Sequence, residues 1–290
     1  MPMCQHAFVI IDDNHHDLAV LRRTVACLGN TLQTIKVYRH TAQCHPKNTE
    51  LWLQWQRSQI AEFTHLLAEF NLDIEVSYLF THQHFHPEEF EQTIKQHQID
   101  LVLKLSSGMH FFDGVFGSRL DHYFIADCSV PVWIVKSRVW DTDIEVLACL
   151  DVDDRSEINH KLNVDILKLS ECMAHHLKGQ LHVIDCFWGE VASMSFELDK
   201  SGRFKRTASI LTHHQALLEG YVEQYALAQQ SLHIVEGTPD FAIPDTAAHL
   251  NAELVVIGNN ADHGILDRLF GDTAANLVNT IDCDVLVVKP

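Results

Sequence analysis

The sequence predicts an α/β protein built from two tandem, open, doubly wound parallel sheets of five strands each. Three observations predict it. The 290 residues exceed one ordinary small domain and suit two of about 145. Short apolar runs rich in β-branched residues alternate with longer helical patterns, as a parallel sheet covered on both faces requires. The alternation then restarts, and three strands of the second pass match the first pass in order. Phe8-Val9-Ile10-Ile11-Asp12 parallels Leu147-Ala148-Cys149-Leu150-Asp151. Asp100-Leu101-Val102-Leu103 parallels Glu253-Leu254-Val255-Val256, and Pro131-Val132-Trp133-Ile134-Val135-Lys136 parallels Asp284-Val285-Leu286-Val287-Val288-Lys289.

The elements follow in order. Residues 7–12 form a wholly apolar strand, and a helix runs from there to about residue 28. Residues 31–38 form the second strand. Leu51, Trp55, Phe63, Leu66, Leu67 and Phe70 make a helical stripe over 48–71. Strand 73–80 leads to helix 87–97, with Pro87 in its first turn. Strands 100–105 and 130–135 are joined by a short helix after Gly117. The acidic residues 140–143 link domain 1 (1–139) to domain 2 (144–290). There, strand 145–150 precedes helix 157–177, which Gly179 is expected to stop. Strand 180–186, a polar stretch 189–206, helix 207–229, strand 231–235, helix 240–250, strand 253–257, helix 273–281 and strand 284–288 complete it. Open sheets of this kind bind ligands beyond the carboxyl ends of their strands, where the winding reverses.

Composition excludes several classes. Hydrophobic residues at 47% mark a globular chain, and no apolar run approaches the roughly 20 residues that span a bilayer. The formal charge of −18 speaks against phosphate backbones and anionic membranes, so neither nucleic acid nor membrane is expected as a partner. The N-terminus lacks a basic segment followed by an apolar one, so a cytoplasmic location is expected. Eight cysteines without a C-x-x-C pair are expected to be reduced, small and hydrophobic.

The sharpest motif is Gly258-x2-Ala261-x9-Gly271-Asp272-Thr273, with Gly264 inside it, between a strand and a helix. Glycines allow close backbone approach to a pyrophosphate. Amides at a helix start, with the positive end of its dipole, hold an anion. Two side chains oppose this: Ala261 adds a methyl, and Asp272 sets a carboxylate at the anion position, where it can itself occupy the helix end.

These residues resemble the universal stress protein family, whose loop here is G-x2-G-x9-G-(S/T). Gly237-Thr238-Pro239, His182-Val183-Ile184-Asp185 and the run Asp282–Lys289 also look like that family's elements. The resemblance covers essentially the whole chain and is nearest the tandem two-domain, UspE-like branch. It implies a stress-response binding module of the adenine nucleotide alpha hydrolase type of fold. Each sheet would have order 3-2-1-4-5, with fifth strands paired so that the chain forms its own pseudo-dimer. It also implies ATP or another adenine nucleotide in the second domain, where Asp151 matches the acidic residue near the adenine. Val183 matches the position whose backbone reads the base. In the first domain Asp12 keeps the acidic position, and Gly108, Gly117 and Ser118 stand for a degenerate loop with Leu105 in place of its first glycine.

Three function classes follow: a nucleotide-binding regulator, a protein-interaction scaffold that binds no nucleotide, and a weak hydrolase or a binder of another small anionic or lipid-like ligand. No G-x-S-x-G elbow or P-loop lysine is present, so nothing predicts efficient phosphoryl transfer. His82, His84 and His86 would share a face if extended and are candidate metal ligands, although an ordinary polar strand-to-helix loop is the favoured reading. The adjacent pairs His175-His176 and His213-His214 are expected at the surface. Lys200, Arg203, Lys205 and Arg206 form a small basic cluster in the polar stretch, expected to be solvated.

Overall fold

The computed structural model describes residues 4–11, 18–40, 49–81, 86–106, 119–187, 210–225, 227–259, 274 and 276–290. The chain divides into two compact units. Unit 1 is Met1–Val139 with Cys283–Lys289, and unit 2 is Trp140–Asp282 with Pro290.

Unit 1 contains strands β1 (His6–Ile11), β2 (Thr34–His40), β3 (Glu75–Thr81), β4 (Leu101–Leu105), β5 (Val132–Val135) and β10 (Asp284–Val288). Its sheet has the order β3-β2-β1-β4-β5-β10. The first five strands are parallel, in the expected 3-2-1-4-5 order. β10 pairs antiparallel with β5, Leu286 opposite Trp133, which is the expected pairing of the two fifth strands. β1, β4 and β5 are apolar and buried along nearly their whole length. Helices α1 (Ala19–Leu28), α2 (Thr49–Ala68), α3 (Pro87–Gln96) and α4 (Arg119–Ala126) connect them. β2 begins three residues later than the pattern suggested. The reason is the end of α1: the Leu28 carbonyl accepts from the amides of Thr31 and Leu32 and from the Thr31 hydroxyl, which keeps this segment in the turn.

A polar knot fastens β10 to unit 1. Asp284 is wholly buried and accepts from Arg23 at 2.8 Å, the Trp133 indole at 3.0 Å and the Lys136 amide at 2.9 Å. Arg23 also donates to the Arg138 carbonyl at 2.7 Å. The Lys289 ammonium reaches the carbonyls of Ile125 and Ala126 at the end of α4. A buried charge needs such partners. Even with them, burial pushes the Asp284 carboxyl up to about 6.

Unit 2 contains β6 (Glu145–Leu150), β7 (Gln180–Phe187), β8 (Leu232–Glu236) and β9 (Leu254–Gly258), in the order β9-β6-β7-β8, all parallel. Helices α5 (Glu157–Leu177), α6 (Ile210–Val222) and α7 (Pro239–Leu250) pack on this sheet. α5 is capped by Ser156, whose hydroxyl accepts from the Asn159 amide at 3.2 Å. Its far end corrects the expected stop. Lys178 is the residue in the left-handed conformation, with φ +57. Gly179 serves packing instead, since a Cβ there would lie 2.4 Å from the Ile144 carbonyl oxygen. α6 ends at Val222, short of the expected 229, and tightens into a 3-10 turn at Glu223–Tyr225. Cys27, Cys128, Cys149 and Cys283 are buried and form no disulfide among the described residues; Cys44 lies outside them. No helix among the described residues is long and apolar enough to cross a membrane.

Candidate functional site

In unit 2 the winding reverses at β6, which has β9 on one side and β7 on the other. The carboxyl ends of these strands bring together Asp151, just past β6, Gly258, the last residue of β9, and Asp185 near the end of β7. The turn after β6 is tightly built. The Asp151 side chain accepts from the amides of Asp153 and Asp154, both at 3.2 Å. Its carbonyl accepts from the side-chain amides of Asn159 at 2.7 Å and Asn163 at 2.6 Å, both reaching up from α5. Asp154 in turn accepts from the Ser156 amide and hydroxyl. Burial raises the Asp151 carboxyl above its ordinary range, and the two turn amides only partly offset this.

Asp185 is 1% exposed. One oxygen meets His214 Nδ1 at 2.7 Å and the other accepts from the Val152 amide at 3.4 Å. Burial lifts its carboxyl to about 6 against the pull of His214. The His214 ring lies against Phe187, with centroids 5.3 Å apart. The next residue back, His213, meets the Arg155 guanidinium at 3.2 Å. The first turns of α6 are therefore tied to the carboxyl ends of β6 and β7 at two points.

The candidates identified in the sequence distribute as follows. Asp151 and Gly258 flank the switch point. Val183 is fully buried within β7, paired with Ala148 on one side and Leu232 on the other. Gly258 has a packing duty of its own: a Cβ would lie 2.6 Å from Leu162 Cδ2 and 3.1 Å from Ile166 Cδ1. Ala261, Gly264, Gly271, Asp272 and Thr273 lie outside the described residues, as do Asp12, Gly108, Gly117 and Ser118. His82 and His84 also lie outside, and His86 is exposed just before α3. The basic cluster Lys200, Arg203, Lys205 and Arg206 lies outside too. Among the described residues no group of three metal-ligating side chains is placed to hold an ion.

The Asp185–His214 pair escaped the sequence reasoning, and His214 is a correction, because it is buried rather than at the surface. The signal was available. His214, Leu218 and Val222 recur every four residues and form the buried stripe of α6. Unit 1 holds a second surprise. Arg39 pairs with Ile11 as Asp185 pairs with Leu150, so a buried cation occupies the register where unit 2 has a buried anion. Lys104, also buried, lies near the end of β4 and donates to the Leu105 carbonyl at 3.0 Å.

Comparison with known proteins supplies the remaining constraint. Residues 166–289 match the model described as the universal stress protein family. The chain is 26% identical over 306 aligned residues to Universal stress protein E of Escherichia coli (strain K12), covering 100% of this chain and 95% of that protein. It is 22% identical over 300 residues to Universal stress protein E of Photorhabdus laumondii, covering 99% and 95%. Among solved structures it resembles a functionally unknown protein from Pseudomonas aeruginosa PAO1, with TM-score 0.72, 22% identity and coverage of 99% and 93%. A universal stress protein from Archaeoglobus fulgidus has TM-score 0.65, 15% identity and coverage of 97% and 96%. These likenesses support the tandem α/β fold.

Proposed function

We propose that the chain is a universal stress protein, a reading supported by the family model over residues 166–289 and by E-type relatives along its length, and that its second domain is a nucleotide-binding regulatory module acting in the cytoplasm. ATP or another adenine nucleotide is the ligand. The observation that carries this reading is the placement of Asp151 and Gly258 on either side of the switch point in unit 2, where open α/β sheets take their ligands. Asp151 would face the base end and the loop after Gly258 the phosphates.

A second reading has its own support. Asp151 and Asp185 place two carboxylates at this end of the sheet, and the loop sequence adds Asp272. Negative charge there opposes a phosphate. On this reading the domain is a scaffold for a protein partner or holds a different small ligand. Fresh protein, denatured and resolved by anion exchange, separates the two. The nucleotide reading expects an adenine nucleotide in the eluate and a thermal shift with added ATP, and absence of both overturns it. Asp272→Ser is expected to strengthen ATP binding, and an unchanged affinity would reject the charge explanation.

A further inference from the structure

At the opposite, amino-terminal end of unit 2, four titratable side chains form a row across all four strands. Glu253, directly before β9, accepts from the Glu145 amide at 2.9 Å. The Glu145 carboxylate meets His182 Nε2 at 2.9 Å, and His182 Nδ1 meets His233 Nε2 at 3.0 Å. The two imidazoles lie with centroids 5.2 Å apart. His182 is 8% exposed. We propose that the row Glu145–His182–His233 is a proton-operated latch that fastens β8, the edge strand of unit 2, to β7.

An imidazole facing a carboxylate donates to it, so His182 carries a proton on Nε2. Its Nδ1 is then an acceptor, and His233 must donate from Nε2. One added proton can be accommodated: His182 becomes an imidazolium, donates to Glu145 and to His233, and His233 changes tautomer. The second proton has no such place. It sets N–H against N–H across 3.0 Å and two positive rings against each other. Burial and the neighbouring His182 charge both lower the affinity of His233 for this proton. When β8 leaves β7, His233 reaches water and regains its ordinary value of 6.5. Acid therefore favours the detached strand, and the effect sets in below that value.

Among the described residues, few other charges face the pair. Glu145 and Glu253 belong to the row. α7, which packs on β6 and β7, carries Asp240, Asp245 and His249, and the last two face each other at the surface, 3.6 Å apart. The 3-10 turn against β7, Gln229–Ser231, has no ionisable side chain. His214 and Asp185 meet on the opposite face of β7, since side chains alternate along a strand.

Hydrogen exchange on the full chain tests this, with amides of β8 compared with those of β9 and corrected for intrinsic rates. Between pH 7.5 and 5.5, protection of Leu232–Glu236 should fall about fivefold relative to Leu254–Gly258. His233→Asn should abolish the fall. A ratio that stays constant in the wild type overturns the proposal, as does an undiminished fall in the variant. Should His233→Asn not fold at pH 7.5, His233→Gln serves the same comparison, because its amide can still donate to His182 Nδ1.

Discussion

The Trp133 indole donates a 3.0 Å hydrogen bond to Asp284, a residue 151 positions later in the chain. Arg23 donates to the same carboxylate at 2.8 Å, and its side chain is only 12% exposed. Removing the acid strands a nearly buried guanidinium. Asp284→Leu is expected to destabilise unit 1 by about 3 kcal/mol, read from urea unfolding. A loss under about 1 kcal/mol would mean that Arg23 finds another partner.

Asp185 sets a pH dependence of definite sign. Its folded value is raised from 3.8 to about 6, so its contribution to stability is present below 3.8 and is lost as pH rises through about 6. Asp185→Asn should therefore gain on the wild type as pH climbs from 4 to 7, then level off. His233 acts in the opposite direction, but it is common to both proteins and cancels in the difference. Thermal melts across that range provide the check, and a flat difference would contradict the raised value.

Gly258 cannot be probed by bulk alone. A Cβ would sit 2.6 Å from Leu162, so even Gly258→Ala should cost about 1–3 kcal/mol through displacement of α5. If its melting temperature matches wild type, the close packing against Leu162 is relaxed in solution. Loss of ATP binding in a larger substitution would thus report both packing and loop.

Asn163 offers a cleaner way to disturb the base end. It donates to the Asp151 carbonyl at 2.6 Å and accepts from the Asp151 amide at 3.3 Å. Asn163→Ala removes the side-chain acceptor of the Asp151 amide and leaves its carbonyl with Asn159 alone, at a cost of about 1–3 kcal/mol. On the nucleotide reading it also weakens ATP. Calorimetric titration showing unchanged affinity would place Asp151 outside the ligand's reach.

The strands at the centre of each half were legible because buried parallel strands are apolar without interruption, as in Phe8–Ile11 and Leu254–Ile257. Element ends were less so. The carbonyl of Leu28 and the left-handed Lys178 decide where two of them fall, and neither depends on hydrophobic pattern. Asp151 and Gly258 could be placed because they directly follow or end such strands. His214 could not be placed by adjacency to His213, since one helical step turns one ring outward and the other inward. Arg39 and Lys104 were hidden for a different reason: a single cation in an apolar strand looks like its solvated edge, whereas both are buried.

β10 completes the sheet of unit 1 although it follows every described strand of unit 2 in the chain. On the ribosome, β5 emerges about 150 residues before its antiparallel partner. At 5–20 residues per second the nascent chain exposes that open edge for roughly 8–30 s. A chain interrupted anywhere before Asp284 therefore yields a product whose first unit lacks its closing strand.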